Sequence, residues 1–545
     1  MTTDTVLLRP AASRTRLLDT SRVVLWVLSL GVFVAHLAFA LVMNARDYLW
    51  GDAVSRSSSA LIAIYSHDPH LAAIGFVWMP LPVLLEIIPV AFYRWWPEVV
   101  SSGFASSLIT ALAGTLTSII VFCTARRFSL SVLLAVVYTL LVSFSPMLFL
   151  YSTNGMSEGV AAPFMIGSVC CLVLFWQGGE RRYIAASGVL LALAFACLYQ
   201  AVNFGAVLLV AMVAGLFTKE NAPSFPQGRL RAVEGLSILF LVPSIYVGVL
   251  WVISNFAIMG DPLYFATSEY SNEGYIASTG AGRLSDAVVG DLAATLEFSI
   301  VRTAPFIIPV IAILLVRTLE GRLLRLNTVM LTGLSLCVPF GLITLQLYDG
   351  TSFGWLRYFM YPLFVAAGWG LYEIGKSKRR SLAIALVFGG WIVAAPASLW
   401  AMADPELGQN EYQVVRSIWT GDTAAEVGYP LYFRDVLDVA AAVDALGDDE
   451  LVLVDSSNAW TIAATVQPHT MKQNLVFTSD DRFHDALADP ASVGVRYLLV
   501  PNPGVAPADL LNEEYPQLWS GNDPGFELAQ AFDQTGVGWR LYRVR

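Results

Sequence analysis

Residues 47–81 read DYLWGDAVSRSSSALIAIYSHDPHLAAIGFVWMPL and follow an apolar run at about 22–43. This stretch concentrates ionisable and aromatic side chains, namely Asp47, Trp50, Asp52, Arg56, His67, Asp68, His70 and Trp78. The chain after it stays largely apolar to about residue 402. Ionisable groups are expensive at a membrane and mark functional positions. The stretch therefore predicts a functional site at the membrane surface.

The composition is that of an integral membrane protein. Of the 545 residues, 56% are hydrophobic and only 14% are charged, and the mean hydropathy is +0.62. A soluble domain carries about 25% charged residues. Residues 403–545 contain 22 acidic and 8 basic residues, so an acidic soluble part follows the apolar one. An acidic surface repels phosphate backbones, which argues against nucleic acid as a partner. All five cysteines lie in apolar segments, so none is available for a disulfide after residue 402.

Eleven apolar segments are candidate spanning helices, within an expected total of about 11–13. They are about 22–43, 102–124, 129–145, 156–176, 182–199, 202–217, 231–256, 300–317, 326–346, 355–374 and 381–402. With eleven crossings, the basic clusters between spans all fall on the cytoplasmic side. The sequence thus predicts a multi-pass protein of the plasma membrane with a cytoplasmic tail at 1–21, a membrane module at 22–402 and an extracytoplasmic domain at 403–545. Loops 44–101 and 260–298 are then outside.

The apolar piece 80–96 is left without a crossing in this arrangement. It is short, contains early prolines and Glu86, and ends in aromatic and basic residues, which is typical of an interfacial helix. We expect a juxtamembrane or re-entrant helix. The alternative is a true span, which conflicts with the positive charge at Arg126 and Arg127.

Residues 403–545 show a different pattern. The apolar runs 451–455, 474–477, 495–500 and 539–544 predict strands, and the amphipathic stretches near 433–446, 457–465, 480–488 and 507–517 predict helices. Strands that alternate with helices are typical of an α/β layer domain. The predicted fold class is an α-helical polytopic membrane protein with a C-terminal α/β domain.

Asp52 is a candidate general base, because a carboxylate at the membrane boundary can take a proton from a hydroxyl group. Gly51 before it permits close approach to the backbone. Asp47 lies five residues earlier and faces the same cavity if the stretch is helical. The alternative is that both carboxylates are solvated or act as helix caps.

The group His67-Asp68-Pro69-His70 combines metal-ligand residue types, but Pro69 indicates a turn and no fourth ligand follows nearby. Asp68 and Pro69 are also typical of a helix start. We expect a turn, a cap or an acceptor contact here, and no metal.

Arg357 lies at the start of a span near the outer boundary, where it either extends to lipid head groups or holds an anionic substrate group. Glu158 follows an outer edge and is expected to line the same cavity. Glu373 lies at a cytoplasmic end and is expected to be solvated. The long loop 260–298, with Tyr264, Tyr270 and Tyr275, is expected to cover a substrate.

Several motifs, in their order along the chain, together resemble one family. They are Asp52 in the first outer loop, Trp78-Met79-Pro80-Leu81-Pro82, Ala125-Arg126-Arg127-Phe128, Ser145-Pro146 before Met156-Ser157-Glu158, Arg357-Tyr358-Phe359-Met360-Tyr361-Pro362, and the closing Gly538-Trp539-Arg540-Leu541-Tyr542-Arg543-Val544. The chain resembles the GT-C superfamily of polyprenyl-phosphate-sugar glycosyltransferases, which includes protein O-mannosyltransferases and the lipid A aminoarabinose transferase.

The resemblance implies inverting transfer of a hexose or pentose from a polyprenyl-phosphate donor to a cell-envelope acceptor on the outer face of the membrane. It implies that Asp52 is the catalytic carboxylate and that Arg357 holds the donor phosphate. We expect Tyr358 and Arg56 to assist Arg357, and no cofactor or obligatory metal. Secondary catalytic or acceptor contacts are expected from Asp47, His67, Asp68, His70, Trp78 and Glu158.

Two departures from the family pattern concern substrate identity. Ala53 follows Asp52 where many relatives have a second acidic residue, and Trp78 replaces a common histidine or lysine. The acceptor, whether protein, glycan or lipid, therefore stays open. The alternative functions are a transporter or flippase of a lipid-linked solute and a non-catalytic scaffold, although the charged groups gather at the boundary rather than at the bilayer midplane.

Overall fold

The computed structural model describes residues 11–218, 220–221, 228–268, 270–271, 274, 276, 288–506, 508–533 and 536–545. The membrane part is helical. Its α-helices are Ala11–Asn44, Gly51–Tyr65, Leu81–Val90, Glu98–Ser101, Phe104–Arg127, Val132–Ser143, Pro146–Tyr151, Ser157–Gly178, Arg182–Phe195, Ala201–Gly215, Arg229–Met259, Tyr264–Thr267, Leu292–Leu319, Leu326–Val338, Thr344–Tyr348, Tyr361–Lys376 and Arg380–Ala403. A π-helical turn, Pro339–Ile343, and the 3₁₀ turns Leu71–Ile74 and Leu356–Phe359 connect some of them.

Each of the eleven predicted spans coincides with a helix. Seven are long and apolar enough to cross a membrane, namely Ser21–Asn44, Phe104–Arg127, Ser157–Gly178, Arg229–Met259, Leu292–Leu319, Leu326–Tyr348 and Arg380–Ala403. The other four are shorter, at 12 to 16 residues. The Ser157–Gly178 helix is mostly buried and lies centrally, whereas most of Arg229–Met259 faces outward.

The first outer loop is itself largely helical. We call Gly51–Tyr65 the first-loop helix; it packs against Leu81–Val90. The latter helix has 10 residues, a length of about 15 Å, and is too short to cross a hydrocarbon core of about 30 Å. Its buried Glu86 accepts a hydrogen bond of 2.6 Å from the hydroxyl of Ser57. This bond joins the two helices inside the first loop.

The C-terminal part contains a five-stranded mixed sheet. The strands are β1 (Leu451–Leu453), β2 (Leu475–Val476), β3 (Val495–Pro501), β4 (Phe526–Phe532) and β5 (Trp539–Val544), in the order β2-β1-β3-β5-β4. β1 pairs in parallel with β2 and β3, whereas β5 is antiparallel to β3 and β4. The α-helices of this part are Tyr412–Thr420, Leu437–Asp444, Ser456–Ala463, Pro468–Gln473, Phe483–Ala488 and Leu510–Glu514, and its 3₁₀ turns are Ala425–Val427 and Arg434–Val436.

The predicted fold class is confirmed, because a helical body with membrane-length helices carries a C-terminal α/β part. The four predicted strands correspond to β1, β2, β3 and β5. β4 was not predicted, since only its first and last residues are buried and it lacks an alternating pattern.

The expectation that Glu373 is solvated is wrong. Its side chain is fully buried and pairs with Arg317, which is also fully buried, and with Arg322 at 2.8 Å. A buried carboxylate requires such partners, because desolvation without them is costly. The basic residues at this end of the bundle therefore neutralise an internal charge.

Candidate active site

Asp52 lies in the first turn of the first-loop helix, directly after Trp50 and Gly51. A carboxylate in this position interacts favourably with the partial positive charge at the N-terminus of a helix. The Asp52 side chain remains 37% exposed. It is therefore held near the bundle while one part stays accessible to a ligand.

Arg357 lies in the 3₁₀ turn Leu356–Phe359, just before the Tyr361–Lys376 helix. Its side chain is only 3% exposed. The Nη2 atom is 3.4 Å from Oδ2 of Asp52, and the Nε atom is 2.7 Å from Oε1 of Glu158. The structure thus brings together three residues that the sequence placed in separate outer segments.

Aromatic rings flank the guanidinium of Arg357. It lies over the indole of Trp355 at 3.9 Å from the ring centroid and over the ring of Tyr358 at 5.2 Å. Trp355 in turn stacks on Phe353. Such cation–π contacts stabilise a desolvated guanidinium and restrict its plane. The ring of Tyr358 therefore lies beside the guanidinium of Arg357.

Glu158 lies in the first turn of the Ser157–Gly178 helix and follows a tight turn at Gly155. Gly155 has φ +77°, and a Cβ there would lie 2.8 Å from the Cβ of Ala53 and 2.5 Å from Oγ of Ser106. Only glycine permits this approach and this backbone conformation without strain. The turn consequently packs on the first-loop helix and holds Glu158 beside Arg357.

Glu411, from the segment after the last long helix, was not among the sequence candidates. Its side chain is fully buried, and Oε1 accepts a hydrogen bond of 2.6 Å from the hydroxyl of Tyr151. The ring of Tyr151 meets that of Trp50 edge-on at 5.6 Å. No local sequence signal separates Glu411 from the other acidic residues after position 402.

Residues 46–51 are bound to residues 417–432 by contacts that we call the loop–tail contacts. Arg46 donates to the carbonyl of Ser417 at 3.1 Å, the Tyr48 hydroxyl donates to the carbonyl of Asp422 at 3.2 Å, and the Tyr429 hydroxyl donates to the carbonyl of Leu49 at 2.8 Å. A Cβ on Gly51 would lie 2.8 Å from the hydroxyl oxygen of Tyr432. The close approach expected at Gly51 is therefore made by a side chain of the C-terminal part.

Arg56, one helical turn after Asp52, is 5% exposed, and its guanidinium lies 4.6 Å from the centroid of Trp78. Its Nη1 has no hydrogen-bond partner within the described residues. Trp78 itself is 38% exposed. The two residues form a cation–π pair on the same helical face as Asp52, and the structure gives no contact between Arg56 and Arg357.

The remaining predicted contacts lie at the boundary with the C-terminal part. Asp47, with φ +64°, pairs with Arg434 at 2.8 Å. Nδ1 of His67 lies 3.2 Å from the carbonyl of Lys472, and Asp68 accepts from the backbone of Asp481 at 3.3 Å. These side chains therefore contact the C-terminal part.

His70 lies between two backbone carbonyls. Its Nδ1 is 2.5 Å from the carbonyl oxygen of Asp68, and its Nε2 is 2.5 Å from that of Ser479. The carboxylates of Asp68 and Asp481 lie close enough to the ring to suggest a cation site. Because a carbonyl oxygen only accepts, both nitrogens of His70 can donate at once only when the ring is protonated, and a protonated ring has no free lone pair for a metal.

The predicted substrate-covering loop is described only in part. Tyr264 belongs to the short helix Tyr264–Thr267, and the hydroxyl of Tyr270 donates to Asp455 of the C-terminal part at 3.1 Å. Tyr275 lies outside the described residues.

Residues 99–246 match the family described as Dolichyl-phosphate-mannose-protein mannosyltransferase, which is a little more than a quarter of the chain. The comparison with curated proteins gave no match. Among solved structures, the chain is similar to ArnT from Cupriavidus metallidurans in the apo state, with 14% identity and a TM-score of 0.50. The alignment covers 94% of this chain and 97% of that chain.

Two structures of an oligosaccharyltransferase from Archaeoglobus fulgidus are less similar. The apo form has 11% identity, a TM-score of 0.39 and coverage of 87% and 69% of the two chains. The enzyme named AglB, in complex with an inhibitory peptide and a dolichol-phosphate, has 13% identity, a TM-score of 0.38 and coverage of 86% and 69%. The resemblance to the GT-C superfamily is thus confirmed, and the fold is like that of ArnT.

Proposed function

We propose that this chain, which has the GT-C fold, is a membrane glycosyltransferase that moves a sugar from a polyprenyl-phosphate donor to a cell-envelope acceptor. The family that residues 99–246 match is described by its substrate dolichyl-phosphate-mannose, a sugar linked to a lipid phosphate. This description supports the proposed class of donor. Transfer takes place on the outer face of the membrane, as the distribution of basic clusters favours.

The contact between Asp52 and Arg357 is the observation that supports this proposal most directly. A partly exposed carboxylate lies 3.4 Å from a buried guanidinium. Transfer from a lipid phosphate needs both groups, since one must accept a proton and the other must stabilise an anionic leaving group. Their proximity matches the two charges that develop during the reaction.

In the proposed reaction, Asp52 takes the proton of the acceptor hydroxyl while that oxygen attacks the anomeric carbon. A new bond forms from this carbon to the acceptor oxygen, and the bond to the phosphate oxygen breaks. Its electron pair leaves with the polyprenyl phosphate. Arg357, flanked by Tyr358, stabilises the growing negative charge through charge-assisted hydrogen bonds. Attack opposite to the leaving group inverts the anomeric centre.

The fork of donors on Arg357 can hold a phosphate by paired hydrogen bonds, so we propose that transfer needs no obligatory metal. Arg56 lies on the Asp52 face of the first-loop helix, and Trp78 packs against it. We propose that they contact the sugar or the acceptor rather than the phosphate.

The test is transfer of labelled sugar by the purified protein in liposomes that contain a polyprenyl-phosphate sugar donor and a cell-envelope acceptor fraction. We expect labelled acceptor with inverted anomeric configuration, formed also in the presence of EDTA. Movement of labelled lipid between the leaflets without any transfer would overturn the proposal and favour a flippase. A retained configuration would refute the single-displacement reaction.

A further inference from the structure

Glu411 is a buried carboxyl group that the proposed reaction does not use. Its Oε1 accepts the hydroxyl of Tyr151, and its Oε2 has no hydrogen-bond partner within the described residues. Glu411 lies just before the Tyr412–Thr420 helix, outside the membrane-length helices.

The surroundings of Glu411 contain both a carboxylate and guanidinium groups. Glu158 and Arg357 both act on it electrostatically, together with the hydroxyl of Tyr151. Arg302, whose guanidinium donates to the carbonyl of Glu406 at 2.7 Å, faces it from the Leu292–Leu319 helix, and Tyr429 faces it from the C-terminal part. Asp52 contacts the same guanidinium of Arg357.

A donor phosphate must share Arg357 with carboxylates that already occupy it. Asp52 and Glu158 each pair with this guanidinium, so its single positive charge is already compensated. A third ionised carboxylate in the same buried region would repel an incoming phosphate, because the interaction between like charges is weakly screened there. A neutral acid at position 411 would not.

We propose that Glu411 is a positioning residue that is protonated while a phosphate occupies Arg357, so that binding of the lipid phosphate is accompanied by uptake of a proton. The inference rests on the proposed function, since it takes the lipid phosphate as the ligand of Arg357. Burial raises the pKa of Glu411, and the hydrogen bond from Tyr151 and the charge of Arg357 oppose this rise. Burial thus favours the neutral form of Glu411. The hydroxyl of Tyr151, which a substitution can remove, favours the ionised form.

The test measures binding of farnesyl phosphate to the full-length protein in detergent, without acceptor, from about pH 5 to about pH 9, a range that extends upward from the ordinary pKa of glutamate. We compare Glu411→Gln with the wild type at each pH, because the probe itself titrates in this range. Glutamine keeps a carbonyl oxygen for the Tyr151 hydroxyl and stays neutral. We expect the Kd ratio of wild type to Glu411→Gln to rise by about tenfold as the pH increases, which is about 1.4 kcal/mol.

Two further variants separate this role from a structural one. Glu406→Gln removes an exposed carboxylate five residues earlier. The Kd ratio of wild type to Glu406→Gln should therefore not change with pH. Tyr151→Phe removes the hydroxyl that favours the ionised acid, so the rise in Kd should move to higher pH. A structural effect alone would change Kd equally at all pH values.

A pH-independent ratio between wild type and Glu411→Gln overturns the inference, as does an equal pH-dependent effect in Glu406→Gln. Failure of the proposed function gives a different result, in which the probe binds with the expected pH dependence but no sugar is transferred. Absence of probe binding at every pH would refute both.

Discussion

Oδ2 of Asp52 lies 3.4 Å from Nη2 of Arg357, although the two residues are 305 positions apart. The contact is asymmetric, because the aspartate is 37% exposed and the arginine 3% exposed. Arg357 is further fixed by Glu158 at 2.7 Å. The carboxylate can therefore change partner without leaving its helix, whereas the guanidinium is held in one place. This asymmetry suits a mobile proton acceptor beside a fixed anion site.

Replacing Asp52 with asparagine should lower kcat by about 10²- to 10⁴-fold, the range for loss of a general base. Donor binding should persist, because Arg357 keeps its contact with Glu158. Transfer of labelled sugar and binding of farnesyl phosphate measure the two effects separately. The matched control is Asp47→Asn, which removes a carboxylate paired with Arg434, itself 61% exposed. Turnover of the Asp52 variant close to that of the wild type would contradict its assignment.

Replacing Arg357 with glutamine should weaken donor binding more than replacing it with lysine, since lysine keeps the charge but not the fork of donors. The glutamine variant also leaves the buried Glu158 without its partner, which costs about 3–5 kcal/mol of stability. Adding Glu158→Gln should restore much of this stability but not donor binding. Thermal unfolding and the donor KM separate the two losses, and recovery of KM in the double variant would rule out phosphate binding by Arg357.

Replacing Gly51 with alanine should disturb the loop–tail contacts. The new Cβ would lie 2.8 Å from the hydroxyl oxygen of Tyr432 and 3.0 Å from its Cζ. Overpacking of this kind costs about 1–3 kcal/mol, and the neighbouring Asp52 should lose activity. Tyr432→Phe removes the closest atom and keeps the ring near Trp460, so it should rescue part of the stability and transfer. Equal defects with and without Tyr432→Phe would show that the clash lies elsewhere.

His70 should make docking of the first loop on the C-terminal part dependent on pH. Burial lowers the pKa of His70, but the carbonyls of Asp68 and Ser479 and the charges of Asp68 and Asp480 raise it above the ordinary value. The folded pKa is thus the higher one, so the stabilisation is complete below about pH 6.5 and is lost as the pH rises through the folded value. Hydrogen exchange of the 479–483 backbone should accelerate at alkaline pH.

His70→Gln is the control for this prediction, because it cannot titrate. Burial raises the pKa of Asp480 to about 7, and this contribution should remain in both proteins. Because His70 and Asp480 interact electrostatically, the difference between the two exchange profiles reports His70 together with its effect on Asp480. Identical pH dependence in the two proteins would exclude a charged His70 at this boundary.

The elements of the fold were predictable because their signals are local. Runs of apolar residues predicted the eleven spans that coincide with helices of the membrane part, and short apolar runs predicted β1, β2, β3 and β5. β4 could not be found in this way, because its central residues are exposed on both faces and carry no alternation. Its position is decided by pairing with β5.

The site was predictable only in part, because its partners come from distant segments. Asp52 and Arg357 were identified separately through motif order, and the chain brings them into contact. The burial of Glu411 and Glu373 depends on Tyr151 and Arg317, which nothing in the neighbouring sequence indicates. The local sequence around a carboxylate near the end of a span does not show whether the carboxylate is solvated or paired with a buried cation.

The loop–tail contacts join residues 46–51, which a ribosome makes early, to residues 417–432, which it makes late. During synthesis, the segment that carries Asp52 reaches the membrane long before its binding partner exists. The nascent chain is therefore expected to hold an immature, inactive first loop until the last part of the protein has been made. Messenger RNA truncated before about codon 411 should yield protein that inserts into the membrane but is inactive. In the full-length chain, the need for the loop–tail contacts would delay activity until after membrane insertion.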